Sequence, residues 1–260
     1  MNTNRGETNG TIVITGTSRG IGYHLACRFL TEGYGVIGIS RTGTSIDHSR
    51  FRSIEADISD LSQVEGLSRK LSNTSIAGLI NNAGIHGPIG PFEHAPLADW
   101  LQTFNTNLFG AAALSQICVP SIRKHNGFMI FFSGGGSAFP RPNFSAYGVS
   151  KCAVIRLSEV LAKELAPQVS VYCIAPGPNR TQLLDEAVIG GEVVPEQDIV
   201  DFEYVERLCL FLARNRDPRY SGKFIHVVDK YESWDDQQLA PDAHTLRRMD
   251  ARTLSRLKIT

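Results

Sequence analysis

Short runs of apolar residues alternate with longer amphipathic segments along most of the chain. The apolar runs hold four to seven residues, and such runs are typical of strands buried on both faces. They lie at residues 11–15, 34–40, 51–56, 77–80, 128–132, 169–174 and 223–228. Segments with a helical period lie between them, at residues 21–32, 61–71, 97–125, 147–165 and 200–213. The third of these predicted helices contains Pro120, where it can kink.

Buried strands that alternate with helices predict a parallel sheet between two layers of helices. The fold class is therefore α/β, a single-domain doubly wound (Rossmann) sheet whose ligands bind at the carboxyl ends of the strands. The pattern divides the chain into a polar N-terminal extension (1–10), a dinucleotide-binding and catalytic domain (11–233) and a polar, basic C-terminal tail (234–260).

The tail carries several cations, and two interpretations of them remain open. The tail forms a surface helix or a subunit contact, or its basic side chains reach a phosphate on the substrate or a partner subunit. The residues concerned are Arg247, Arg248, Arg252, Arg256 and Lys258.

Charge and composition exclude some classes of partner. Lys+Arg and Asp+Glu number 26 each, so the net charge gives no reason to expect nucleic acid or a membrane surface. No apolar run approaches the roughly 20 residues that span a bilayer, and the first ten residues lack an apolar signal core. The five cysteines are scattered without metal-ligand spacing, which predicts free thiols and no metal site. A cytoplasmic location is expected.

A glycine-rich loop follows the first predicted strand. Gly16, Gly20 and Gly22 have the spacing Gly-x-x-x-Gly-x-Gly and lead directly into a helix. Glycines allow backbone N–H groups to approach a pyrophosphate, and the helix N-terminus adds partial positive charge. The loop therefore predicts a phosphate cradle for a dinucleotide.

The end of the second strand bears on the choice of cofactor. Dinucleotide folds place an acid there for NAD, or an arginine for the 2′-phosphate of NADP. This strand ends in Ser40 and Arg41, and Arg19 in the glycine loop can reach the same phosphate. NADP(H) is thus favoured over NAD(H); the alternative is that Arg41 is merely solvated.

Tyr147 and Lys151 are four residues apart in a predicted helix, so they share one face. A nearby ammonium group favours the phenolate form and is expected to lower the tyrosine pKa. Such a phenol can exchange a proton with a carbonyl or alcohol oxygen. The alternative is an ordinary helix with a packed tyrosine and an exposed lysine.

Taken together, these segments resemble the short-chain dehydrogenase/reductase family over residues 11–228. The motifs follow the family's order: a Thr-Gly-x-x-x-Gly-x-Gly signature at 15–22, an acid–hydrophobic pair at 57–58, an Asn-Asn-Ala-Gly turn at 81–84, Asn107, Tyr-x-x-x-Lys at 147–151 and Pro-Gly at 176–177. The cofactor contacts that the resemblance and the loop imply are Gly16, Ser18, Arg19, Gly20, Ile21, Gly22, Arg41, Asp57, Ile58, Asn82, Ala83, Gly84, Tyr147, Lys151, Pro176, Gly177 and Thr181.

The resemblance implies hydride transfer between nicotinamide and a substrate carbon. Tyr147 would act as general acid in reduction and general base in oxidation. Lys151 would lower the pKa of Tyr147 and hold the nicotinamide ribose, and Asn107 would hold a water in a proton relay. The family also implies a homodimer or homotetramer.

The serine that relatives use to bind the substrate oxygen is displaced. Its usual position falls on Gly134, and Ser133 comes one residue too early. Ser133 is favoured over Ser137 for this role, and the glycine N–H groups are a third possibility. Arg141 and Asn143, in the loop before Tyr147, are further candidates for substrate contact, ahead of His86 and His94.

These residues predict an NADP(H)-dependent oxidoreductase that interconverts a carbonyl and a secondary alcohol. The segment 181–195, a substrate lid in relatives, is short, which suggests an open site and a polar small-molecule substrate such as a sugar, or a carrier-bound intermediate. Two alternatives remain: a catalytically weak nucleotide-binding sensor or scaffold, or an epimerase or dehydratase that retains its cofactor.

Overall fold

The computed structural model of the chain describes residues 9–215 and 217–246. Within these residues the strands are β1 (Thr11–Thr15), β2 (Gly35–Ser40), β3 (Phe51–Glu55), β4 (Ile76–Asn81), β5 (Phe128–Phe132), β6 (Ser170–Ala175) and β7 (Phe224–His226). The α-helices are α1 (Gly20–Thr31), α2 (Leu61–Leu71), α3 (Leu97–Phe104), α4 (Gly110–Lys124), α5 (Ser145–Glu164), α6 (Gln182–Ile189) and α7 (Phe202–Arg214).

All seven strands pair in parallel, in the order β3-β2-β1-β4-β5-β6-β7. The predicted doubly wound Rossmann sheet is confirmed. The order reverses between β1 and β4, which opens a crevice at the carboxyl ends of these two strands. The sequence pattern predicts ligand binding at the carboxyl ends of the strands, and this crevice lies there.

Two apolar cores lie on opposite faces of the sheet. One packs α1 and α7 against the strands, with Leu25, Phe29 and Leu208 fully buried. The other packs α2, α4 and α5 against the opposite face. Burial of both faces explains why the inner strands are apolar at nearly every position. The edge strand β3 is the exception, with Arg52, Ser53 and Glu55 exposed.

The long helix predicted over 97–125 is interrupted, though not at Pro120. A π-helical segment, Asn105–Phe109, joins α3 to α4, whereas Pro120 lies inside α4 on an exposed position. Short π segments often occur at functional sites. This one carries Asn107, which is 2% exposed.

The first part of the predicted polar tail packs on the domain. Trp234 stacks between the rings of Tyr220 and His244, and Leu239 is buried. The buried ammonium of Lys223 donates to the carbonyl oxygens of Ala240 and Ala243. Residues 1–8 and the basic positions Arg247, Arg248, Arg252, Arg256 and Lys258 lie outside the described residues. Within the described part of the chain, no helix combines the length and apolar character needed to cross a membrane.

Two helical glycines differ in the space around them, which gives a matched test of the packing. A Cβ atom on Gly110, at the start of α4, would overlap the Ile58 carbonyl oxygen, whereas Gly66 in α2 faces open space. We expect Gly110→Ala to lower the free energy of unfolding by about 1–3 kcal/mol. Gly66→Ala should raise it, by up to about 1 kcal/mol, because alanine favours helix. Urea unfolding followed by circular dichroism measures both; equal effects would contradict the packing described.

Candidate active site

A cleft of about 520 Å³ lies at the crevice between β1 and β4. The glycine loop after β1, the turn after β4 and the segment after β6 form its walls. The predicted cofactor-contacting residues that line it are Gly16, Ser18, Arg19, Gly20, Ile21, Arg41, Asp57, Ile58, Asn82, Ala83, Gly84, Tyr147, Lys151, Pro176 and Thr181. Parallel strands bring these distant motifs to a single edge of the sheet.

The glycine loop has the geometry that a phosphate cradle requires. Gly16 has a φ of +76°, and an added Cβ would lie 2.9 Å from the Asn82 side-chain nitrogen. A Cβ on Gly22 would overlap the Gly16 carbonyl oxygen, so the loop closes tightly on the first turn of α1. Larger residues at these positions would push the loop away from the cleft.

The turn after β4 is fixed to the end of β1. The Thr15 hydroxyl accepts from the backbone N–H groups of Asn82 and Ala83, at 3.1 and 3.0 Å. In return, the Asn82 amide donates to the Thr15 carbonyl oxygen at 2.8 Å. Two cleft walls are therefore held together across the switch point of the sheet.

Asn107 fixes the same turn from the opposite side. Its amide oxygen accepts from the Ile85 N–H at 2.9 Å, and its amide nitrogen donates to the Ile85 carbonyl and to the Ser150 hydroxyl, both at 2.9 Å. Both amide protons are thus used within the protein. The side chain joins the turn after β4 to α5, and its predicted role in a water relay stays a prediction.

Lys151 is buried at the carboxyl end of β5. The residue is 4% exposed, and its ammonium group donates to the Phe132 carbonyl oxygen at 2.8 Å. Burial away from water lowers the pKa of Lys151 to about 8. At neutral pH the lysine is therefore still protonated, but its protonated form is less stable than that of a lysine in water.

Tyr147 is buried beside it, and the expected lowering of its pKa is not found. Burial raises the pKa of Tyr147 to about 12. The Arg141 charge has a smaller, lowering effect on this pKa, and Glu192 adds to the rise. The Lys151 nitrogen is 5.7 Å from the centre of the tyrosine ring. The reasoning from spacing considered charge alone, whereas desolvation of the phenol is the larger effect here.

The position to which the resemblance assigns the family's serine is Gly134, and an added Cβ there would overlap the Tyr147 hydroxyl oxygen. The hydroxyls of the two neighbouring serines donate to backbone carbonyls, Ser133 to that of Lys151 at 3.2 Å and Ser137 to that of Gly134 at 2.7 Å. Ser133 also lines the cleft. Contact of either serine with the substrate oxygen stays a prediction.

Helix α6 covers Tyr147, so the cleft is less open there than the short segment 181–195 suggested. Leu183 and Ala187 of α6 lie in one apolar cluster with Phe144 and Tyr147, and Tyr147 is only 5% exposed. Thr181 caps the N-terminus of this helix, and its hydroxyl accepts from the Leu184 N–H. This cap, with an acid in the first turn, was the sequence signal for a helix that the apolar pattern did not show.

An ion pair joins this lid to the loop before α5. The Arg141 guanidinium makes two hydrogen bonds to the Glu192 carboxylate and lies 3.7 Å from the centre of the Phe144 ring. Asn143, in the left-handed region at a φ of +68°, is exposed, and its carbonyl accepts from the Gly90 N–H. Arg141 therefore lies near the tyrosine with its charge already paired.

The residues predicted to contact the adenosine part of the cofactor line the cleft, but their surroundings differ. Arg19 and Arg41 are both exposed. The Asp57 carboxylate accepts from the N–H and hydroxyl of Ser59, while Ile58 is buried. No acid ends β2; Ser40 stands there and shares a hydrogen bond with Thr44.

Two residues that sequence reasoning missed or ranked low lie close to one another near the cleft. His86 is 4% exposed, and its ring is 4.6 Å from that of Tyr147. Glu186 of α6 lines the cleft, with a carboxylate oxygen 3.7 Å from the His86 Nδ1 atom. Neither belongs to a motif in the sequence, and only the fold brings them together. His94, ranked low as a substrate contact, is exposed.

The sequence profile of the short chain dehydrogenase family matches residues 10–189. The chain belongs to this family. Its members are oxidoreductases that use NAD(P)(H). The glycine loop, the Asn81 turn and the Tyr147–Lys151 pair all contribute residues to the cleft described above.

Three known proteins illustrate the similarity. An oxidoreductase of Schizosaccharomyces pombe is 32% identical over 68% of this chain, but the match spans 63% of that protein, less than two thirds. A benzil reductase ((S)-benzoin forming) of Saccharomyces cerevisiae is 30% identical over 66% of this chain and 72% of its own. The solved structure of Thermoplasma acidophilum aldohexose dehydrogenase aligns with a TM-score of 0.76 and 27% identity, over 85% of this chain and 92% of that one.

The buried ammonium of Lys151 predicts a pH dependence of stability. Between pH 8 and pH 10.5 the unfolded chain binds a proton at this lysine that the folded protein does not. The free energy of unfolding should therefore rise with pH across this window, by about 3 kcal/mol from this residue. Lys151→Met should lose that rise. Urea unfolding at pH 8 and pH 10 measures it.

Lys163→Met is the matched control, because Lys163 is exposed on the same helix. It should keep the rise, because Lys151 is unchanged in this variant. A rise of equal size in the Lys151 and Lys163 variants would contradict the buried ammonium.

Proposed function

We propose that the protein is an NADP(H)-dependent oxidoreductase that reduces a carbonyl group to a secondary alcohol, with Tyr147 as the general acid. The observation that carries the proposal is the pairing of Tyr147 and Lys151 on one face of α5, where both line the cleft. Family membership supports the oxidoreductase chemistry.

The residues of the cleft fit a dinucleotide. Gly16 and Gly22 leave no room for a Cβ, which keeps backbone N–H groups near the N-terminus of α1 accessible to a pyrophosphate. Thr181 caps α6 beside Gly20, whose added Cβ would lie 3.1 Å from the threonine methyl group. When bound, the cofactor supplies the hydride.

Tyr147 is suited to donate a proton. With a pKa raised to about 12, the phenol keeps its proton at neutral pH and can pass it to a carbonyl oxygen that gains negative charge. In the reverse direction the same phenol, as phenolate, takes the proton back. Lys151 adds positive charge beside the developing oxyanion.

Two features support a polar substrate. Gln182 and Glu186 bring amide and carboxylate groups to the lid side of the cleft, where the amide donates to the carboxylate at 3.0 Å. One of the similar solved structures is that of an aldohexose dehydrogenase. We infer that a sugar-like or other hydroxylated carbonyl compound fits this site better than an apolar one.

Replacing the proposed acid tests the reaction. Tyr147→Phe should lower kcat for carbonyl reduction by about a thousandfold, because it removes the hydroxyl that supplies the proton and keeps the ring. NADPH affinity should stay nearly unchanged. Absorbance of NADPH during turnover measures the rate, and fluorescence titration measures binding.

The control is Tyr204→Phe, since Tyr204 is an exposed ring on α7, away from the cleft. Full activity of the Tyr147 variant would overturn the assignment. NADPH binding by the unmodified protein with no turnover of any carbonyl compound would instead favour a nucleotide-binding sensor.

Replacing the cation after β2 tests the choice of cofactor. We expect Arg41→Ala to weaken NADPH binding by about tenfold, the effect of losing one charged contact with the 2′-phosphate, and to leave NADH binding unchanged. Arg69→Ala, an exposed arginine on α2, is the control for general loss of charge. An equal change in both affinities would sink the proposed preference for NADP(H).

A further inference from the structure

His86 has a buried ring nitrogen without a hydrogen-bond partner. The side chain is 5% exposed, and its Nδ1 is shielded from solvent with no acceptor or donor in range among the described residues. Buried polar atoms are nearly always hydrogen-bonded, so an unpaired one at the edge of an active site marks a place where a ligand supplies the partner.

The polar group nearest to this nitrogen is on the lid. The Glu186 Oε2 atom is 3.7 Å from His86 Nδ1, beyond hydrogen-bond distance. The other carboxylate oxygen accepts from Gln182 within α6. The Glu186 side chain is 43% exposed and lines the cleft, so a bound molecule can reach it.

The gap between the two atoms has a size that one oxygen atom can bridge. An oxygen about 2.8 Å from each of two atoms that are 3.7 Å apart sits to one side of the line that joins them. A hydroxyl group satisfies both partners together, since it accepts from an imidazole N–H and donates to a carboxylate. When Nδ1 carries the ring proton, an ammonium or a carboxylate group satisfies only one of the two partners.

We propose that His86 and Glu186 together bind a hydroxyl group of the substrate on a carbon next to the reacting carbonyl, so that the enzyme selects α-hydroxy ketones. This inference rests on the proposed carbonyl reduction. His86 Nδ1 donates to the substrate hydroxyl, which donates to Glu186. The Tyr147 ring lies 4.6 Å from the imidazole, which places this site beside the proton donor.

The charge state of His86 agrees with this role. Burial, with Arg141 and Lys151 nearby, lowers the pKa of His86 to about 4, so the ring is neutral at neutral pH. A neutral ring has one donor and one acceptor nitrogen. It therefore forms no fixed ion pair with Glu186, and the carboxylate stays available to the substrate.

The test compares hydroxyacetone with butanone, which has a methyl group in place of the hydroxyl. The unmodified enzyme should reduce hydroxyacetone with a kcat/KM about tenfold or more above that for butanone, the effect of hydrogen bonds to a charged group. His86→Phe keeps an aromatic ring against Tyr147 and removes both nitrogens. Glu186→Gln keeps the size and removes the charge. Each should bring the ratio near one, mainly through a higher KM for hydroxyacetone.

Asp185→Asn is the control, because Asp185 is an exposed acid next to Glu186 on the same helix. It should keep the preference. Equal loss for both ketones in the His86 and Glu186 variants, or a preference that survives both changes, would overturn the inference while the proposed reduction stands. Failure of the unmodified enzyme to reduce either ketone would overturn the proposed function, and the inference with it.

Discussion

The burial of one ammonium group constrains most of the site. Lys151 is nearly inaccessible to water, and such burial is costly unless the charge keeps hydrogen-bond partners. The Phe132 carbonyl provides one, which sets where β5 must end. Gly84 has no side chain because a Cβ would lie 3.1 Å from both the Lys151 nitrogen and the Asn107 oxygen. The glycine after β4, the end of β5 and Asn107 thus follow from the space around a single cation.

The tyrosine beside this cation depends on a neighbouring glycine. An added Cβ on Gly134 would overlap the Tyr147 hydroxyl oxygen, so a residue with a side chain at this position would have to displace the phenol. Tyr147 is 5% exposed, and burial raises the pKa of its phenol to about 12. The phenol therefore stays protonated at neutral pH, because desolvation outweighs the effect of the nearby positive charges.

Much of the fold could be predicted from the sequence, because strands such as 128–132 are apolar at every position and α5 keeps a helical period. The glycine loop and the Tyr147 pair were found for the same reason, since they are local in sequence. What could not be predicted depends on contacts between distant segments. Arg141 and Glu192 are 51 residues apart, and Ser133 turns to a carbonyl 18 residues away. No local pattern encodes such directions, and desolvation of Tyr147 likewise depends on the lid.

Two acids of the lid segment 181–195 face side chains from the rest of the domain. Glu192 pairs with Arg141 before α5, and Glu186 lies opposite His86 after β4. The first contact is a complete ion pair and is made without any ligand. The second leaves 3.7 Å between the two polar atoms, which is too long for a hydrogen bond. Leu183 and Tyr147 share one apolar cluster, which shields the tyrosine from water. One segment thus carries both the contact that the proposed substrate hydroxyl would complete and the apolar cover over the proposed proton donor.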